Sequence, residues 1–128
     1  MKKIIHTLDA PSAIGTYNQA VQSHGFIYTS GQLGINSHTG KLVDGGIGAE
    51  TFRALQNIDV ILHAAEVDKS HIVKLTVYVT DLKGFNYVNE SFKTFFHGVE
   101  FPARSTVEVS ALPMGAKVEI ECVACTSE

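Results

Sequence analysis

Between Ile47 and Glu66 the apolar residues Phe52, Leu55, Ile58, Leu62 and Ala65 recur every three or four positions, while Arg53, Gln56 and Asp59 fall between them. That spacing predicts an amphipathic helix with one buried stripe. The pattern then changes period. From Ile72 to Thr80, Val73, Leu75, Val77 and Val79 alternate with Lys74, Thr76, Tyr78 and Thr80, as expected of a strand with two unlike faces. Phe85, Val88, Phe92 and Phe95 return to helical spacing and predict a second helix with an aromatic stripe turned inward. Two more strands follow. Ser105, Val107 and Val109 alternate with Arg104, Thr106 and Glu108, and Val118, Ile120, Cys122 and Ala124 alternate with Lys117, Glu119 and Glu121. Near the start, Gln19–Ser23 and Phe26–Gln32 flank His24-Gly25, a two-residue connection suited to a hairpin turn.

The order strand, strand, helix, strand, helix, strand, strand describes an α+β domain with both helices on one face of a sheet. With the valine and isoleucine sides beneath the helices, strand parity puts Arg104, Thr106, Glu119 and Glu121 together on the other face. Such a charged face is either wet or an interface. Gly31, directly after Ser30, leaves the backbone open to close approach.

The 128 residues suit one domain, 1–128, and 45% hydrophobic content can build one core without disulfides or metals as staples. Ten Lys and Arg against thirteen Asp and Glu leave a net charge of -3 and no basic field for phosphates, so nucleic acid is a poor first expectation. No stretch reads as a membrane span or export signal, and a cytoplasmic location is expected. Cys122 and Cys125 are too few for a disulfide framework. Residues three apart on a strand face opposite ways, and no second Cys or His pair lies nearby, so Cys122-x-x-Cys125 reads as a core thiol with a neighbour rather than half a metal site. The six histidines show no ligand spacing. Gly45-Gly46-Ile47-Gly48 has no Lys-Ser or Lys-Thr after it and reads as a flexible helix entry rather than a phosphate cradle.

Phe101-Pro102-Ala103-Arg104-Ser105 carries the most chemistry. An arginine among small strand neighbours offers a planar fork for a carboxylate or phosphate. A surface or interface ion pair is nonetheless the commoner use of such a residue, and periodicity alone leaves both uses open.

At this segment the chain resembles the Rid or YjgF family of imine deaminases. The resemblance spans Ala13-Ile14-Gly15-Thr16-Tyr17, Thr29-Ser30-Gly31-Gln32, Asn57-Ile58, Val73 to Val79, Asp81-Leu82, Val88-Asn89, Phe95-Phe96, Pro102-Ala103-Arg104-Ser105, and Leu112-Pro113 through Val118-Glu119-Ile120-Glu121. It implies a chorismate-mutase-like fold with a mixed sheet, a homotrimer with clefts between subunits, and hydrolysis of 2-iminopropanoate and 2-iminobutanoate to 2-oxo acids and ammonia. It also implies site residues. Arg104 would clamp the carboxylate and Glu119 would orient the attacking water, while Tyr17, Ser30, Asn89 and the Gly31 backbone N–H would line the cleft. No metal or organic cofactor is implied, because the imine carbon is already electrophilic. Thr16 stands where many members have proline, and Thr106, the remaining cleft position, stands where many have cysteine. Members are also associated with endoribonuclease activity and translation inhibition; the acidic balance and the lack of a basic, aromatic stripe argue against RNA as the main partner. A sensor of small 2-oxo acids using the same cleft is a further alternative.

Overall fold

The computed structural model describes residues 1–126. Its strands are β1 (Lys3–Ile5), β2 (Ala20–Ser23), β3 (Phe26–Thr29), β4 (Gln32–Leu33), β5 (Ile72–Val79), β6 (Ala103–Glu108) and β7 (Val118–Cys125), with helices α1 (Ile47–Ala64) and α2 (Phe85–Phe95). The sheet runs β1-β2-β3-β7-β5-β6, and β4 also pairs with β7. Among the described residues only β5 and β6 are parallel, joined through α2, so the sheet is mixed.

The first hairpin turns at His24 (φ 53) and Gly25 (φ 82). Both central residues have the positive φ of a turn whose twist matches the strands. Helix α1 stops at Ala64, short of the Glu66 that periodicity suggests, because Glu66 itself adopts φ 65. Leu55, Ile58 and Leu62 are fully buried as their spacing predicts, joined by Ala54 and Ile61. They pack on Ile27, Leu75, Val77, Val118 and Ile120 from the sheet. Val88, Phe92 and Phe95 of α2 join this core, but Phe85, the first residue of the predicted aromatic stripe, is 41% exposed.

Two differences from the sequence pattern shape the site. The run Phe26–Gln32 is not one strand. Tyr28 pairs with Val123 and Gln32 with Ile120, so four steps along the first chain segment match three along β7. One extra residue bulges out at Thr29–Gly31, and the Thr29 hydroxyl accepts from Cys122 N at 3.0 Å, replacing a lost ladder bond.

The second difference concerns β6. Arg104 pairs with Leu75 and Thr106 with Val77, and both partners are fully buried on the helix face. Arg104 and Thr106 therefore share the helix face, while Glu119 and Glu121, paired with Tyr78 and Thr76, lie on the open face. This corrects the expectation that all four project together. The cause is that β6 is an edge strand with one neighbour. Its valines need not point to the core, and Val107 remains 43% exposed on the open side.

Candidate functional site

On the helix side of β6, the Pro102-Ala103 entrance brings Arg104 beneath α2. One guanidinium nitrogen donates to Asn89 Oδ1 at 2.7 Å. The guanidinium carbon lies 4.6 Å from the Phe92 ring centre and 5.3 Å from that of Phe85. The aromatic faces hold the planar group in one orientation, and Asn89 occupies part of its donor set, leaving other N–H groups for an anion. Burial pulls Arg104 below its ordinary pKa, the direction expected of a cation stripped of water. Asn86, Asn89, Glu90, Lys93, Phe101 and Pro102 complete a groove of about 360 Å³ around it. Two positions along the strand, the Thr106 hydroxyl oxygen is buried without a hydrogen-bond partner among the described residues. Phe85, Phe92 and Phe101 were not legible as site residues, because helical spacing marks an aromatic for the core without saying what else it touches.

A second, larger cavity of about 620 Å³ opens around Glu119. Its polar residues include Tyr17, Gln19, Ser30, Gly31 and Gln32; its apolar wall includes Ile14, Leu33, Ile35 and Met114. The bulge at Gly31 makes room for the carboxylate, since a Cβ there would stand 2.7 Å from Glu119 Cδ. Burial raises the Glu119 pKa, and the neighbouring Glu121 raises it further. A carboxylate so placed is a better base than one in water. Glu121 and Glu119 also push the Tyr78 phenol upward, after desolvation as the leading cause. The Ser30 hydroxyl donates to Asn18 O at 2.5 Å, and the Tyr17 hydroxyl accepts from Ile14 N at 3.2 Å.

The predicted site residues thus fall into two groups. Tyr17, Ser30, Gly31 and Glu119 meet in one cavity; Asn89 and Arg104 meet on the opposite side of the sheet, with Thr106 on that same face but outside the groove lining. Within one chain the arginine and the carboxylate do not face a common ligand.

Comparison with known proteins identifies the lineage. A family profile described as "Endoribonuclease L-PSP" matches residues 7–126. A Rid-family protein from Yersinia pestis superposes with a TM-score of 0.94 at 49% identity, covering 98% of this chain and 99% of that one. The chain belongs to the Rid (YjgF) family. The Escherichia coli YjgF gene product superposes with a TM-score of 0.93 at 42% identity, over 98% of this chain and 99% of that one. Both likenesses agree with the α+β fold expected from the sequence. A Mus musculus relative named "2-iminobutanoate/2-iminopropanoate deaminase" is 48% identical over 124 residues, 97% of this chain and 91% of its own length. The Homo sapiens protein of that name is 46% identical over the same extent of this chain, and over 90% of its own length.

Proposed function

We propose that this Rid-family chain hydrolyses small 2-imino acids, 2-iminopropanoate and 2-iminobutanoate among them, to 2-oxo acids and ammonia, as a cytoplasmic homotrimer whose active clefts lie between subunits. The observation that carries the proposal is similarity over nearly the whole chain to relatives bearing that deaminase name. The inventory of side chains suits the chemistry. Arg104 binds the substrate carboxylate through its free N–H groups, each charge-assisted hydrogen bond worth roughly 1.5–3 kcal/mol. Glu119 takes a proton from water as its oxygen bonds to the imine carbon. The C=N electron pair moves to nitrogen, which receives that proton to give a carbinolamine; Glu119 then carries the hydroxyl proton to nitrogen as the C–N bond breaks, the C–O bond becomes the C=O of the 2-oxo acid and ammonia leaves. Ser30, Tyr17 and the Gly31 N–H fix the nitrogen and the forming oxygen.

Because Arg104 and Glu119 lie on opposite faces of one sheet, the reaction requires one protomer's Arg104 groove to meet the Glu119 cavity of another. The open sheet face supports this assembly. Phe26, Tyr28 and Val107 on that face, with Val73 at the irregular start of β5, are apolar side chains each 42–46% exposed, beside the Glu119 and Glu121 carboxylates. The acidic net charge disfavours RNA as substrate.

The test generates imino acids in situ with an amino-acid oxidase and traps the surviving imine as a semicarbazone. Deaminase activity lowers semicarbazone formation in proportion to added protein. An unchanged trapping rate across several imines overturns the enzymatic role, and tight 2-oxo-acid binding beside it would make the protein a sensor.

A further inference from the structure

Segment 7–17 has no strand or helix of its own, yet Pro11, Ser12, Ala13, Ile14 and Tyr17 form one wall of the Glu119 cavity. A wall made of irregular chain must be tethered by side chains if it is to hold a ligand. Among the described residues, Gln19 is the side chain that ties this segment to the sheet. Its Oε1 accepts from Thr7 N at 2.8 Å. Its Nε2 lies 2.9 Å from Pro11 O, 3.1 Å from Thr7 O and 3.5 Å from Ala10 O. The residue is 2% exposed. The opposite lip is tied at the same place, because Gln19 O accepts from Ser30 N at 2.9 Å and Asn18 O accepts from the Ser30 hydroxyl.

From this geometry we infer that Gln19 is a positioning residue for the cleft, holding the Tyr17 wall and the Ser30-Gly31 lip at a fixed separation. The inference rests on the proposed imine-binding role of the cavity. Although Gln19 borders the cavity, both Nε2 hydrogens are committed to carbonyls and Oε1 to an amide, so its donors are spent on the protein. It acts through Tyr17 and Ser30. A glutamine is required by this set, since it needs an acceptor and two donors at one side-chain end. A glutamate supplies only acceptors and would set them against three carbonyl oxygens.

The test uses Gln19→Met, which preserves length without hydrogen bonds, and Gln19→Glu, which keeps the acceptor for Thr7 N but loses the donors. Backbone hydrogen exchange is followed in the intact protein, alongside imine hydrolysis well below each variant's melting temperature. The amides of Thr7 and Ile14, which donate to Gln19 Oε1 and to the Tyr17 hydroxyl, are expected to exchange at least tenfold faster in Gln19→Met, and that of Ile14 in Gln19→Glu, with the helix α1 amides unchanged. If the competent wall is then populated about one-tenth of the time, KM rises about tenfold while kcat stays within about threefold, because bound substrate selects the ordered wall. Wild-type exchange rates at Thr7 and Ile14 in folded Gln19→Met, or at Ile14 in folded Gln19→Glu, overturn the inference. So does an equal fall in kcat with KM unchanged, which would make Gln19 part of the chemical step. Failure of the wild-type protein to hydrolyse any imine would instead count against the proposed function, and the exchange experiment still decides whether Gln19 tethers the wall.

Discussion

At the scale of single residues, two groups carry opposite electrostatic burdens. Arg104 lies against the Phe92 and Phe85 rings with Asn89 fixing one nitrogen, so its value lies in a planar fork held in one orientation. Lysine in its place keeps the charge and loses both the plane and the stacking. Arg104→Lys is expected to fold as the native protein does and to lose about 10²-fold or more in kcat/KM for imine hydrolysis, as a steady-state assay would report. For Glu119, burial and Glu121 both raise the pKa. A base works deprotonated, so kcat should fall as pH drops through a value above that of an ordinary glutamate. Glu121→Gln removes one of the two causes, and the acid limb of its pH–rate profile should move to lower pH. A limb that stays in place would show that Glu121 does not tune the base. The Cys122 thiol is buried and pushed up to about 12, mainly by desolvation. It should resist iodoacetamide in the native protein, with activity retained after treatment. With threonine at 106, turnover would then need no sulfur in the cleft.

At the scale of elements, the bulge before β4 separates a packing role from a site role for two nearby glycines. A Cβ on Gly34 would stand 2.6 Å from the Glu50 backbone in the first turn of α1, where neither side can yield. Gly34→Ala should therefore lower thermal stability by roughly 1–3 kcal/mol, the usual range for overpacking. A Cβ on Gly31 meets the movable end of the Glu119 side chain instead. Gly31→Ala should melt within a few degrees of the native protein while losing activity, because the carboxylate is pushed from its place. Melting curves and kcat measured on the two variants should diverge in this way. The bulge itself was not readable in the sequence, since Phe26–Gln32 passes from an apolar to a polar run and its one cue, Gly31, does not say that a residue is extra. The extra residue becomes evident only against the register of β7, a strand about ninety positions away.

At the scale of the whole molecule, the division of the site makes assembly part of the chemistry. Light scattering should give a mass near three times the 13.8 kDa chain. A monomer at micromolar concentration would defeat the shared cleft. Complementation is the sharper measurement. Arg104→Lys and Glu119→Gln should each be nearly inactive, yet when mixed, unfolded and refolded together in equal amounts they should restore about a quarter of the native sites by random assortment. Activity that never exceeds that of the separate variants would place both groups in one chain's site.

The sequence by itself determined the two helices, the major strands and their core faces, because hydrophobic periodicity reports local burial and burial dominates the stability of long elements. Its ordered set of motifs also carried the family and the candidate residues. Which of those residues meet was decided by tertiary structure alone. Strand parity holds in β6, but the assumption that its valine side faces the core fails at an edge strand: Arg104 turns toward Phe92 and Asn89, and Val107 is left on the open face. Gln19 likewise shows no periodic signal, because its work is to satisfy the backbone of an irregular wall, and backbone hydrogen bonding across a loop depends on where the loop goes.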